Sequence, residues 1–220
     1  MGTVIDLEAH RAKRRPARSG GALVAGQTRR EAPSAGRVPR STPVLFAFDV
    51  ASPWTYLAAE GVERLFGQVE WRPVDGELVA LGREAPADVR ARAEARAATL
   101  RLPLVWPERP GGDGVRRASA FAASIGRGGP FALAAGRLAY GGGFCLDDPD
   151  TLAEAAAAAG LPPAAALLAA ADPAWDDELA REAGRIVARG AEALPALILD
   201  GTLVCGEDAL AAAVARAAAG

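Results

Sequence analysis

"FAFDVASPWTYLAAEGVERLF", residues 46–66, changes its period in mid-course. Its start completes the short apolar run "PVLFAFDV" (43–50), which reads as a β-strand. Ser52-Pro53 then interrupts the run; serine is a favoured helix N-cap and proline a favoured first helical residue. Beyond it, Trp54, Leu57, Ala58, Val62 and Leu65 fall close to one face of a helix over 53–66. A strand feeding a helix through a short turn places Ser52 at the helix N-terminus. Unpaired N–H groups and about half a positive charge gather there.

The pattern continues outward. "QVEWRPV" (68–74) alternates and predicts a second strand, parallel to the first because a helix crosses over between them. Helices are predicted over 85–102, 115–126, 130–144, 148–161, 163–171 and 174–190, with a Pro/Gly loop over 101–114. "PALILDGTLVCG" (195–206) reads as two strands joined by Asp200-Gly201, a short-hairpin signal, and a last helix covers 207–219. The expected fold class is α/β: one four-stranded mixed sheet built from residues 43–75 and 194–220, with 76–193 as a large helical insertion. Residues 1–42 lack an apolar period and read as a disordered basic tail, dispensable for folding, with a short helix at "VIDLEAHRAKR".

Composition narrows the function. The chain has 220 residues and is 50% hydrophobic, enough for one domain with a substantial core. No apolar run approaches the roughly 18–20 residues of a membrane span, and the start lacks the apolar stretch of a secretory signal. A cytoplasmic location is expected, with no membrane partner. Residues 1–42 hold 9 Lys/Arg and 3 Asp/Glu, a net of +6, while the remainder holds 16 and 24, a net of −8. An acidic body does not suit a nucleic-acid reader. Cys145 and Cys205 form neither a C-x-x-C pair nor a metal-spaced cluster, so two reduced thiols and no metal are expected. The single histidine, His10, lies in the tail, which argues against a Ser-His-Asp triad or a zinc-protease helix.

The element order is that of the thioredoxin fold with a helical insertion, and three stretches carry a closer resemblance. "FDVASPWTYLA" resembles the start of the 2-hydroxychromene-2-carboxylate isomerases and kappa-class glutathione transferases, members of the DsbA-like branch of the thioredoxin superfamily. "LPALILDGTLVCGEDAL" resembles their ending, and "RLAYGGGFCLDDPDTLAEAAAAAGL" the middle helices of bacterial members. The resemblance spans about residues 43–219.

It implies roles for particular residues. DsbA-type oxidoreductases carry C-x-x-C where this chain has Ser52-Pro53-Trp54-Thr55. A serine cannot attack a disulfide, so disulfide exchange is not expected. In the isomerases and transferases a serine here donates a hydrogen bond to the sulfur of glutathione. By the same resemblance Leu194-Pro195 is a cis peptide whose backbone pairs with the tripeptide, and Asp208, beside Glu207, holds the glutamyl amine. Glu207 stands where relatives have Ser or Asn, which adds negative charge beside a carboxylate. Relatives also carry a lysine or an Asn-Pro after the second strand, for which only Arg83 offers a substitute. Pro53, Trp54, Trp106 and Arg116, with Arg117, are candidates to line a substrate cleft. The expected activity is that of a thiol-dependent isomerase or transferase, using glutathione or another low-molecular-weight thiol on a small aromatic or enone-like substrate. A homodimer is compatible with it.

Plainer readings stand beside these. Ser52-Pro53 is also an ordinary cap pair, Glu207 and Asp208 also favour a helix start, Trp106 also suits loop or core packing, and Arg116 and Arg117 also suit a solvated helix face. A redox-inactive thioredoxin-fold binding protein is the alternative for the whole chain.

Overall fold

A computed structural model describes residues 43–79 and 86–219. The basic tail over 1–42 and Arg83 lie outside the described residues. The sheet has the order β2-β1-β3-β4. β1 (Val44–Phe48) is central and runs parallel to β2 (Val69–Pro73), pairing Val44 with Val69 and Phe48 with Pro73. It runs antiparallel to β3 (Ala196–Leu199), which pairs antiparallel with β4 (Thr202–Cys205). Asp200 and Gly201 have φ of 49° and 77°, the double left-handed geometry of the tight hairpin turn that the Asp-Gly pair predicts.

Strand alternation sorts side chains onto two faces. Phe46 and Phe48 enter one hydrophobic cluster, with α1 (Pro53–Phe66) and the helices α4 (Asp113–Ser124), α5 (Gly128–Gly136) and α6 (Pro149–Ala158). Ala47, Ala196 and Ile198 enter a second, closed by Val79 and by Ala183 and Ile186 of α8 (Ala174–Val187). The first cluster draws on both the strand segments and the helical segment, so the two share one core. Trp71 of β2 packs edge-on against Phe46 and Phe48, and its indole lies over Gly129 at the start of α5. Truncating a wholly buried phenylalanine such as Phe46 costs about 3–5 kcal/mol, a large part of a domain's net stability.

The remaining described helices are α2 (Gly76–Val79), α3 (Pro86–Leu100), α7 (Pro163–Ala171) and α9 (Ala209–Ala219). Three differences from the sequence reading have local causes. α2 was not foreseen, since a four-residue helix shows no 3.6-residue period. The helix expected over 130–144 is α5 followed by a π-helical turn, Arg137–Gly141, which widens the helix. The last helix starts at Ala209 instead of 207, because Gly206, with φ of 89°, and the next two residues form a turn before it.

Candidate functional site

Strand register gathers the predicted residues at one end of the sheet. β1 and β3 pair Ala47 with Ala196, so Leu194-Pro195, immediately before β3, lies beside the end of β1 and the turn 49–52 that leaves it. The Leu194-Pro195 bond is cis, and Pro195 is buried. β3 and β4 pair Ala196 with Cys205, and the Gly206 amide donates to the Pro195 carbonyl at 2.9 Å, which brings Gly206, Glu207 and Asp208 to the same place. Ser52, Pro53 and Trp54 are half-buried there.

Ser52 takes the N-cap position of α1 in an extended conformation, yet its side chain makes no cap hydrogen bond. The reason lies in the first turn. The Thr55 and Tyr56 amides both donate to the Ser52 carbonyl, at 3.1 and 3.4 Å, so the amide of the third helical residue already has a backbone acceptor. The Ser52 hydroxyl therefore has no partner among the described residues and sits at the positive end of α1. Thr55, one turn on, is 1% exposed, and its Oγ1 is buried with no hydrogen-bond partner.

α3 supplies residues that the motif reading missed. Arg92 lies over the Trp54 ring at 5.5 Å and donates from Nε to Glu207 at 2.9 Å. It bridges the start of α1 and the 206–208 turn. Arg96 stands 3.8 Å from Asp208. The Arg92–Glu207 pair is 42% and 36% exposed, so it is worth at most about 1 kcal/mol. Its consequence is electrostatic: each acid of the turn has a cation beside it. The clue in sequence is two arginines four residues apart, on one helix face.

Behind the turn lies a buried ion pair. Asp49 is 6% exposed, and its Oδ2 accepts from Arg116 Nε at 3.1 Å. Burial raises the Asp49 pKa, and Arg116 opposes the rise. Arg116 also approaches Asp113 at 3.4 Å and Glu77 at 3.6 Å. Its guanidinium is thus held by carboxylates of the chain, and neither the solvated-face nor the cleft-lining reading describes it. Arg117 likewise makes a two-pronged pair with Asp176, at 2.7 and 2.8 Å, which lowers the Asp176 pKa. Trp106 is packed: it donates from Nε1 to Glu94 at 2.9 Å and meets Tyr140 edge-on. Cys145 and Cys205 are free thiols, both half-buried. No group of three or more potential metal ligands occurs among the described residues.

A cleft of about 680 Å³ opens elsewhere, between the outer edge of β2 and helices α4, α5 and α8, lined by Trp71, Trp175 and Glu182 among others. It contains none of the residues gathered around Ser52.

Residues 43–216 match the DSBA-like thioredoxin domain family. The chain belongs to that family. Among solved structures, a 2-hydroxychromene-2-carboxylate isomerase aligns with a TM-score of 0.69 at 18% identity, over 80% of this chain and 95% of that one. A probable DsbA oxidoreductase from Streptomyces coelicolor aligns with a TM-score of 0.56 at 24% identity, over 80% and 90%. At these identities the likeness is one of fold. No curated protein matches the sequence significantly. In this chain the central strand β1 delivers its turn to the N-terminus of α1. Here a serine occupies that turn.

Proposed function

We propose that the protein is an isomerase or transferase dependent on glutathione or another low-molecular-weight thiol, acting on a small aromatic or enone-like substrate, and not a disulfide oxidoreductase. One observation carries this reading: the residue at the positive end of α1 is Ser52, and its hydroxyl makes no cap bond and has no partner among the described residues. A working cap would support a purely structural role; a hydroxyl without a partner supports a ligand-directed one.

The residues present fit a peptide thiol. The Ser52 hydroxyl is half-buried at the turn, and one turn on the buried Oγ1 of Thr55 also lacks a partner among the described residues. Ser52 would donate its hydrogen to the sulfur, and the field of α1 would favour the sulfur's anionic form. The backbone of Leu194, before the cis bond, would pair with the peptide as an added strand does. Asp208 would take the amine, and Arg92 neutralises Glu207, which removes the repulsion that Glu207 alone would exert on a carboxylate. Trp54 would offer an aromatic face to the substrate. A bound thiol supplies a nucleophile that adds reversibly to an activated double bond.

Thermal unfolding with and without glutathione tests this. A ligand at 100 times its Kd adds about 2.7 kcal/mol. For a chain of this size that corresponds to a rise in Tm of roughly 5–10 °C. S-methylglutathione, which keeps the peptide but cannot form a thiolate, should stabilise much less. Equal stabilisation by both would favour a binding protein without thiol chemistry. Insulin reduction should not occur; turnover that survives mutation of both Cys145 and Cys205 would overturn the account of the site.

A further inference from the structure

Three elements distant in sequence converge on the turn between β1 and α1, which Asp49 opens. Asp49 Oδ1, at the end of β1, accepts the Ala51 amide at 2.9 Å. The Tyr140 hydroxyl, from the π-helical turn, donates to the Ala51 carbonyl. Arg116 of α4 fixes the other carboxylate oxygen of Asp49. Gly76 of α2 packs so closely that a Cβ there would lie 2.5 Å from Asp49 Oδ2. The Asp49 carbonyl in turn accepts the Ser52 amide at 3.0 Å. Both backbone groups of the residue preceding Ser52 are thus held by buried side chains, and Ser52 itself is tied back to Asp49.

The Tyr140 ring is 1% exposed, stacked on Tyr56 at 5.9 Å between centroids and braced edge-on by Trp106 at 6.0 Å. The wider π turn carries it, and such turns often occur at functional sites. Burial and the nearby Asp49 charge push the Tyr140 pKa well up, so the phenol stays a neutral donor. Tyr56 makes a useful contrast. Its hydroxyl donates to the Pro103 carbonyl at 2.7 Å, a bond of the same kind that does not touch the turn.

We propose that Tyr140 and Asp49 are positioning residues: they clamp Ala51 from both sides and so fix Ser52 at the mouth of α1 with its hydroxyl available to a ligand. This rests on the reading of Ser52 as the group that meets the sulfur. The test is therefore built to separate the two.

Amide hydrogen exchange at Ser52 reads the clamp directly. Tyr140→Phe removes one hydroxyl and keeps the ring. It should speed Ser52 exchange by about tenfold relative to Tyr56→Phe, the two compared at matched global stability. Asp49→Asn, which keeps an oxygen for the Ala51 amide, should hold exchange slower than Asp49→Ala. Ser52→Cys then places a reporter thiol at the site. Its pKa should lie below the ordinary value of about 8.5. Adding Tyr140→Phe should raise that pKa by about one unit, while adding Tyr56→Phe should move it by less than about 0.3. Equal exchange and equal reporter pKa in the two tyrosine variants would overturn the proposal. A persistent exchange difference with an ordinary reporter pKa in both would uphold the clamp and remove the thiol reading of Ser52.

Discussion

Ser52 occupies a cap position without capping, and that separates two roles that usually coincide. Replacing a serine that caps costs about 1 kcal/mol. Here the hydroxyl makes no such bond, so Ser52→Ala should change stability by less than about 0.5 kcal/mol in urea unfolding. The same change should raise the pKa of a bound thiol by about one to two units, since a hydrogen bond to a charged group is worth about 1.5–3 kcal/mol. Thiolate absorbance titrated against pH at saturating glutathione reads the shift, and a stability loss near 1 kcal/mol with an unmoved pKa would return Ser52 to a capping role. Arg116 makes the opposite case, a residue whose importance is structural. Removing one partner of a buried ion pair costs about 3–5 kcal/mol. The folded-state pKa of Asp49 is raised, with Arg116 the chief opposing influence, so Arg116→Met raises it further. A carboxyl that binds its proton more tightly when folded loses stability as pH rises from its unfolded value towards its folded one. Arg116→Met should therefore cost more at pH 7 than at pH 4, by urea unfolding at each; an equal cost at both would show that Asp49 is not the group left unpaired.

At the scale of elements, the parts that local chemistry specifies were legible in sequence. Ser52-Pro53 marks the start of α1, whose observed bounds are the predicted ones, and Asp200-Gly201 marks the hairpin. Gly201→Val tests the latter. A β-branched residue at a φ of 77° should cost about 1–2 kcal/mol, measured by urea unfolding, and a neutral result would mean that the turn does not require this geometry. What escaped the sequence is pairing across long separations. Asp49 and Arg116 are 67 residues apart and Arg92 and Glu207 are 115 apart, and no periodicity connects them. The π turn escaped for a different reason: a single wide turn of five residues is too short to show a period of its own. The three stretches of the candidate site were singled out by motif, and their convergence follows from strand register; the residues packed around them were not.

For the whole molecule, the question is whether the helical segment between β2 and β3 behaves as a separate body. Its sequence suggests an insertion, but its packing joins it to the sheet. Phe131, Ala135 and Tyr140 belong to the same buried cluster as Phe46, Phe48 and Val62, and Trp71 of the sheet rests on Gly129. On the other face α8 supplies Ala183 and Ile186 to a cluster otherwise made largely of strand residues. Neither the sheet nor the helices alone could keep these side chains from water, so separating them would expose apolar surface of both. Residues 43–220 should therefore unfold in a single cooperative transition. The four tryptophans report on the sheet through Trp71, on the start of α1 through Trp54, and on the helical segment through Trp106 and Trp175. Tryptophan fluorescence and far-ultraviolet circular dichroism should then give coincident urea curves. Single-tryptophan variants keeping Trp71 or Trp175 should share one midpoint, provided each retains the parent's secondary structure. Midpoints separated well beyond error would mean that the helical segment opens independently, and would assign the Ser52 site to a sheet that stands without it.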